Sequence, residues 1–209
     1  MSSRARWTDR YARTRRDATG PSLAQRRAPS AWVVARCLEL RPDHLVVDVA
    51  GGDGRHAAAL AARGRRVLVV DFVEAAVAAA VAAGPASAAG ADGPGGAVLG
   101  MVADASALPF APGTLDSLLV TNFLDRRLFP HFAALLRPGG ALVAETFTVE
   151  HLALAEARRL PSPRSPAHLL ETGELRSLVA PLQVVAYHEG VVRDEGGERV
   201  AAGVVAVRA

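Results

Sequence analysis

The sequence predicts one α/β domain whose seven-stranded, mostly parallel sheet is doubly wound and ends in an antiparallel hairpin. Five short apolar runs alternate with helical segments, a pattern typical of parallel sheets covered by helices on both faces. The chain of 209 residues is long enough for one such domain with a short extension. The end differs, because two longer strand-like segments flank an Asp-Glu-Gly-Gly turn at 194–197, which is a hairpin signal.

Composition narrows the class of protein. Half of the residues are hydrophobic, yet no apolar run reaches the ~20 residues of a membrane span, and no secretory signal is recognisable. Cys37 is the only cysteine and has no partner for an internal disulfide, which suits a reducing cytoplasm. Without cysteine pairs or clustered histidines, we expect no metal site.

The basic residues divide the chain into two parts. Residues 1–27 contain eight arginines against Asp9 and Asp17, whereas the remaining chain has more acidic than basic residues. We therefore predict a basic N-terminal arm or lid at 1–27 and one domain at 28–209. An arginine-rich start also resembles an organellar transit peptide, which remains an alternative. The arginines are few and the aromatics clustered, so the arm does not favour nucleic-acid binding.

Local sequence signals predict the helices and strands in the first half of the domain. Ser30 is a typical N-cap for the amphipathic helix that begins after it, and Gly64 and Gly84 are typical helix-ending residues. A β-branched apolar run between turn residues predicts a buried strand. The predicted elements are a helix at 31–38, a strand at 45–49, a helix at 55–63, a strand at 67–70 and a helix at 74–83.

The second half begins with a Gly/Ala/Pro/Ser-rich stretch at 84–96, predicted to be a mobile loop. We expect a helix at 126–136 to bend at Pro130, because a proline ring does not fit a helix interior. The Arg-Pro-Gly-Gly sequence at 137–140 predicts a tight turn. The remaining elements are strands at 98–103, 115–120 and 141–146, helices at 150–159 and 173–179, and hairpin strands at 182–192 and 199–207.

A glycine-rich turn follows the first predicted strand, where residues 48–54 read Asp-Val-Ala-Gly-Gly-Asp-Gly. Glycine permits a sharp strand-to-helix turn and lets the backbone approach a ligand closely. Two more strands end in acids, Asp71 and Asp104. A carboxylate at the second strand's end can accept the hydroxyl groups of a ribose, and an acid beside a backbone N–H can bind an adenine edge. Parallel strands bring these ends to one edge of the sheet.

This ordered set resembles the class I S-adenosylmethionine-dependent methyltransferases, whose first motif is acid-x-Gly-x-Gly-x-Gly and which carry a Pro-Gly-Gly turn before the fifth strand. Ala50 stands where that motif has its first glycine, and we expect it to narrow the turn without closing it. The resemblance implies a Rossmann-like methyltransferase fold and S-adenosylmethionine as cofactor. The cofactor-binding residues it implies are Asp48, Ala50, Gly51, Gly52, Gly54, Asp71, Phe72, Asp104, Ala105 and Asn122.

The arm carries a second resemblance. Trp7, Arg10 and Tyr11 form a Trp-x-x-Arg-Tyr segment similar to that of the tellurite-resistance and thiopurine-type small-molecule methyltransferases. This likeness implies that the arm closes over the cofactor and acceptor, and that Trp7, Arg10, Tyr11 and Arg126 contact the acceptor. The two aromatic residues also suit an alternative in which they only attach the arm to the core.

Methyl transfer requires in-line attack on the methyl carbon, so holding the two reactants together supplies much of the catalysis. His131 and His168 are candidates for a general base, with Glu145 behind them. The segment 122–125, Asn-Phe-Leu-Asp, lacks the prolines of adenine-amino methyltransferases. The prediction is therefore a small-molecule methyltransferase, present as a monomer or a homodimer.

Two rival functions remain open. Residues 52–57 satisfy the dinucleotide pattern G-x-G-x-x-A and Asp71 lies at a suitable distance, which is compatible with an NAD-dependent oxidoreductase. Asp48, Asp104 and the terminal hairpin argue against it. The other rival is a non-catalytic S-adenosylmethionine-binding regulatory module.

Overall fold

A seven-stranded sheet forms the centre of the computed structural model, which describes residues 28–85, 95–160 and 165–209. The strand order is β3-β2-β1-β4-β5-β7-β6. The predicted arm, with Trp7, Arg10 and Tyr11, and most of the loop predicted at 84–96 lie outside the described residues. The strands are β1 (Val46–Val49), β2 (Arg66–Asp71), β3 (Ala97–Val102), β4 (Leu115–Thr121), β5 (Leu136–Phe147), β6 (Gln183–Asp194) and β7 (Gly197–Val207).

Helices connect the parallel strands. They are α1 (Ala31–Glu39), α2 (Arg55–Ala61), α3 (Glu74–Ala83), α4 (Phe129–Leu135), α5 (His151–Arg158) and α6 (Glu174–Leu178). The predicted N-cap is confirmed, since the Ser30 hydroxyl accepts a hydrogen bond from the Val33 amide. Gly64 and Gly84 follow α2 and α3 closely, as expected.

The pairing pattern confirms the predicted architecture. β1 pairs in parallel with both β2 and β4. The chain therefore builds the sheet outward from β1 in one direction through β2 and β3, and then in the other direction through β4 and β5. Ligands of open α/β sheets bind at such a switch point, outside the carboxyl ends of the strands. β7 pairs antiparallel with both β5 and β6, which makes the last two strands the predicted hairpin.

Two apolar cores cover the two faces of this sheet. In β4, Leu118 and Val120 face the larger core, beside Phe129 and Phe132, while Leu119 faces the core formed with α1 and α2. This alternation follows from the two-residue period of a strand. Both faces of β1 and β4 are buried, which explains their nearly continuous apolar sequence.

The predicted bend at Pro130 is wrong. A 3₁₀ turn at Arg126–Leu128 precedes α4, and α4 begins only at Phe129, so Pro130 lies in the first helical turn. A proline is accommodated there because the first amides of a helix have no intrahelical partner to lose.

The Arg-Pro-Gly-Gly turn also differs from the prediction, because it lies within β5 instead of preceding it. Leu136 pairs with Leu115 and Ala141 pairs with Ser117, so β5 contains an irregularity between these two pairs. Gly139 adopts a φ of 75°, which a residue with a side chain rarely adopts. The glycines therefore create a bulge instead of a strand boundary.

A buried arginine caps the C-terminal end of α1. The guanidinium of Arg65 donates hydrogen bonds to the carbonyl oxygens of Leu38 at 2.7 Å, Leu40 at 2.5 Å and Arg41 at 2.5 Å. These carbonyls lie at the negative end of the helix dipole, and the cation complements it. Arg65 thus holds α1 against the start of β2.

We expect Arg65→Met to lower the free energy of unfolding by roughly 2–4 kcal/mol, because three carbonyls lose a charged donor in a buried place. Urea unfolding measures the loss. The neighbouring exposed Arg66 supplies the control, since Arg66→Met should change stability by less than about 0.5 kcal/mol. Equal losses in the two variants would show that the cap contributes nothing.

None of the helices in the described ranges is long and apolar enough to cross a membrane. Cys37 is fully buried in the α1 core, and burial raises the pKa of its thiol to about 12.

Candidate functional site

Three alternate residues of the turn between β1 and α2 have a left-handed backbone conformation. Ala50, Gly52 and Gly54 all adopt positive φ, at 55°, 58° and 74°. A Cβ on Gly54 would lie 2.6 Å from the Cβ of Ala80, and one on Gly51 would lie 2.8 Å from the Cγ of Asp48. Glycine is therefore required at 51 and 54 by packing, and at 52 and 54 by conformation.

Ala50 is the exception, because it adopts the left-handed conformation with a side chain. We expect Ala50→Gly to raise the free energy of unfolding by about 0.5–1 kcal/mol, since relief of the left-handed strain exceeds the extra backbone entropy of glycine. Thermal unfolding measures the change. Ala59→Gly inside α2 is the matched control and should lower the free energy of unfolding. A lower free energy of unfolding in Ala50→Gly as well would show that the backbone at Ala50 is not strained.

Asp71 is the last residue of β2, and its carboxylate accepts a hydrogen bond from the glycine turn. Its Oδ2 accepts a hydrogen bond from the Gly52 amide at 3.0 Å, and its Oδ1 accepts one from the Val73 amide at 2.9 Å. Burial raises the pKa of the Asp71 carboxyl, although these amide donors act in the opposite direction. The carboxylate thus lies directly beside the glycine turn.

Asp48 is the most unusual group at this edge. The residue is 1% exposed, and neither carboxylate oxygen has a hydrogen-bond partner within 28–85, 95–160 and 165–209. Burial raises the pKa of this carboxyl to about 7, and the Coulombic effect of Arg55 acts against that rise. A buried, unpartnered carboxylate is costly for the folded protein. Its oxygens are complementary to a cationic or hydrogen-bond-donating ligand at the glycine turn.

The other predicted cofactor residues lie at the ends of their strands. Asp104 follows β3, and its Oδ1 accepts hydrogen bonds from the amide and hydroxyl of Ser106 at 2.9 and 2.7 Å. Asn122 follows β4 with a φ of 51° and is exposed. Phe72 and Ala105 are half-buried. Because β1 to β4 are parallel, these strand ends share the carboxyl edge of the sheet with Asp48 and Asp71.

The acceptor-side candidates have different surroundings. His131 on α4 and His168 near Pro166 are both exposed. Arg126 forms a bidentate ion pair with Glu174 and donates to the carbonyl oxygen of Leu169 at 2.8 Å. Its guanidinium therefore holds the segment after residue 165 against the end of β4.

A buried histidine that the sequence reasoning did not single out joins three parts of the site. The Nε2 atom of His56 accepts a hydrogen bond from the Ser30 amide at 3.1 Å, so the proton is on Nδ1, which lies 3.2 Å from the Thr121 hydroxyl. Burial lowers the pKa of His56 to about 3, so it stays neutral. Its position directly after the glycine turn was the only available sequence signal.

Glu145 belongs to a second polar cluster. Its Oε1 accepts from Arg199 at 3.0 Å, and its Oε2 accepts from the Ser30 hydroxyl at 3.0 Å and lies 3.1 Å from Nε2 of His188. The pKa of Glu145 is lowered despite its burial, because His188, Arg199 and Ser30 stabilise the anion. Gly203 makes room for this cluster, since a Cβ there would lie 2.3 Å from His188.

Residues 46–140, which span β1 to the start of β5, match a family model described as "Methyltransferase domain". That segment includes the glycine turn, Asp71 and Asp104. Comparison of the sequence with curated proteins found no match.

Several solved structures share the fold. A methyltransferase dependent on S-adenosylmethionine (SAM) from Methanosarcina mazei has 20% identity and a TM-score of 0.67, covering 83% of this chain and 96% of its own. Magnesium protoporphyrin IX methyltransferase from Synechocystis has 20% identity and a TM-score of 0.61, with 86% and 79% covered. A chain of the complex between the Haloferax volcanii Trm112 methyltransferase activator and a methyltransferase has 16% identity and a TM-score of 0.65, with 99% and 97% covered.

Proposed function

We propose that this chain is an S-adenosylmethionine-dependent methyltransferase, which its domain match and its fold support, and that it transfers the methyl group to a small-molecule acceptor by in-line displacement. The observation that carries the cofactor assignment is the unpartnered, buried carboxylate of Asp48 beside a glycine turn that Asp71 fastens. S-adenosylmethionine brings an ammonium group, a ribose and an adenine, and the residues present fit each of them.

The residues have separate roles in this proposal. Asp48 would face the positive charge of the methionine portion, Gly52 and Gly54 would let the backbone approach it, and Asp71 would accept the ribose hydroxyls. Asp104 and Ala105 would hold the adenine edge, with Phe72 and Asn122 beside them. The bound cofactor supplies an electrophilic methyl group on a sulfonium. The chain's contribution is to orient the two reactants at near-attack distance.

The surroundings of Glu145, His131 and His168 support this acceptor class. Arg199 and His188 stabilise the ionised carboxylate of Glu145, so both of its oxygens already have partners within the protein. His131 and His168 are exposed and remain candidates for a general base. An acceptor that is already ionised in solution, such as a thiolate, needs no base from the protein. The magnesium protoporphyrin IX methyltransferase shows that this fold also serves a small-molecule substrate.

A labelled-methyl transfer screen tests the proposal, with thiols, oxyanions, purines and RNA as acceptors. We expect transfer to a small molecule by the wild type and none by Asp71→Ala. Transfer to RNA alone would overturn the acceptor class. Cofactor binding without transfer to any acceptor would instead favour a regulatory module. Thermal stabilisation by NAD in place of S-adenosylmethionine would favour the oxidoreductase.

A further inference from the structure

Two neighbouring strands, β1 and β4, border the region where the cofactor is proposed to bind. Val49 pairs with Val120, so the glycine turn and the segment after β4 leave the sheet side by side. The sheet extends in opposite directions from these two strands, and the crevice between their loops is where open α/β sheets bind ligands. A residue that joins the two loops therefore controls the width of this crevice.

His56 joins the two sides of the crevice. It lies two residues after Gly54, in the first turn of α2, and is buried. Its Nδ1 atom lies 3.2 Å from the hydroxyl oxygen of Thr121, the last residue of β4. The next residue, Asn122, adopts a φ of 51° and donates its amide to the carbonyl oxygen of Glu145 at 2.9 Å. His56 therefore connects the start of α2 with the residue from which the chain leaves β4.

The other ring nitrogen fixes the direction of this hydrogen bond. A backbone amide can only donate, so the Nε2 atom of His56 accepts from the Ser30 amide at 3.1 Å and carries no proton. Burial lowers the pKa of His56 to about 3, so the ring is neutral and its single proton is on Nδ1. Nδ1 therefore donates to Thr121. The two bonds of His56 are chemically distinct, since the ring accepts from the residue before α1 and donates toward the crevice.

We propose that His56 is a positioning residue for the cofactor: its Nδ1–H group holds the end of β4 at a fixed distance from the glycine turn. This inference rests on the proposed function, in which Asp48 lies on one side of the crevice and Asn122 on the other. His56 acts through Thr121, as a buried residue that supports the groups in contact with a ligand. The bond to Thr121 determines cofactor affinity, whereas the bond to Ser30 stabilises the fold.

Two substitutions separate these two bonds. In His56→Asn the side-chain amide takes the place of Nδ1 and can still donate to Thr121, but the acceptor for the Ser30 amide is lost. In His56→Gln the longer side chain brings a carbonyl oxygen to the place of Nε2, which keeps the acceptor and loses the donor. Titration calorimetry with S-adenosylhomocysteine and urea unfolding are measured for each variant of the full-length protein.

The two variants should show opposite effects. We expect His56→Gln to raise the Kd of S-adenosylhomocysteine roughly tenfold, the equivalent of one hydrogen bond, and to unfold at nearly the same urea concentration as wild type. His56→Asn should keep the Kd within about threefold of wild type and unfold at a lower urea concentration. Thr121→Val removes the same bond from the other side, so it should add nothing to the Kd of His56→Gln in the double variant.

His44 supplies the matched control, because it makes a similar contact at the other end of the same two strands. Its Nδ1 atom lies 3.3 Å from the hydroxyl oxygen of Ser117 on β4, and its Nε2 atom accepts from Arg137 at 2.9 Å. Ser117 pairs with Val46, the first residue of β1, so this contact is at the amino edge of the sheet. His44→Gln should lower stability and leave the Kd of S-adenosylhomocysteine unchanged.

Three results would contradict the role of His56. If His56→Gln bound S-adenosylhomocysteine as tightly as wild type, or if affinity fell in parallel with stability in both His56 variants, the residue would only stabilise the fold. Nitrogen NMR of the His56 ring should show a neutral ring with its proton on Nδ1, and a proton on Nε2 would also overturn the proposal. If the wild type itself bound no S-adenosylhomocysteine, the proposed function would be wrong and this inference with it, whereas tight binding by both wild type and His56→Gln would remove the inference alone.

Discussion

Asp71→Ala is expected to weaken S-adenosylmethionine binding at least about a hundredfold, because two ribose hydroxyls would each lose a charged acceptor at a cost of about 1.5–3 kcal/mol. The substitution also removes the acceptor of the Gly52 and Val73 amides, which loosens the turn proposed to contact the cofactor. Isothermal titration calorimetry measures the loss directly.

The control for Asp71 is an aspartate far from the carboxyl edge. Asp43 lies before β1, is 68% exposed and pairs with Arg41, so Asp43→Ala should leave cofactor affinity unchanged. Asp71→Asn keeps one carbonyl acceptor and should fall between wild type and Asp71→Ala. If Asp71→Ala bound the cofactor as tightly as wild type, the proposal that Asp71 and the glycine turn bind the nucleoside part of the cofactor would be wrong.

Asp48→Asn is expected to stabilise the ligand-free protein at pH 8 and to weaken cofactor binding severely. Burial raises the pKa of Asp48 in the folded state to about 7, above its ordinary value of about 3.9 in an unfolded chain. Folding therefore favours the protonated form. The stability that this proton contributes is complete below about pH 4 and is lost as the pH rises to about 7. The asparagine side chain carries no such charge.

The expected change in the free energy of unfolding follows from the size of the Asp48 pKa shift. Each unit of pKa corresponds to about 1.4 kcal/mol, and burial of the asparagine amide offsets part of the gain, so we expect roughly 1–3 kcal/mol at pH 8. Urea unfolding at pH 5 and pH 8 measures it, and the advantage of the variant should shrink at pH 5. Cofactor affinity of the wild type should fall below pH 7, because a cationic ligand requires the ionised carboxylate.

Asp116→Asn is the contrasting control for this pH dependence. Hydrogen bonds from Arg137 and the Leu45 amide, together with nearby His44, lower the pKa of Asp116 although burial opposes them. Its ionised form therefore stabilises the fold, and the asparagine variant should be less stable than wild type at pH 8. If Asp48→Asn behaved like Asp116→Asn, the buried carboxylate would have a partner in the folded protein.

Much of the fold could be predicted from local sequence. The β-branched runs, the Ser30 cap and the turn at 194–197 each produced the expected element, because their signals act over a few residues. Pro130 and the Arg-Pro-Gly-Gly segment were misjudged. The start of α4 depends on the turn before it, and the bulge in β5 depends on its pairing with β4.

The candidate site was predicted only in outline. Asp48, Asp71 and Asp104 could be located because they lie within, at the end of and just after recognisable strands. The contacts of His56 and Arg199 with Ser30 could not, since Ser30 lies 26 residues from His56 and 169 residues from Arg199 along the chain. A single histidine or arginine has no local sequence signal that separates a buried role from a solvated one.

The sequence by itself determined the order of strands and helices along the chain, the edge of the sheet at which we propose that a ligand binds, and the glycine turn at that edge, because periodicity and turn chemistry are local properties. The tertiary structure alone decided that Asp48 is buried with no hydrogen-bond partner in the described part of the chain, that Ala50 adopts a left-handed conformation, and that Arg199 donates a hydrogen bond to Ser30. These features depend on which distant groups become neighbours and how much water they lose, and only the register and packing of the folded chain decide both.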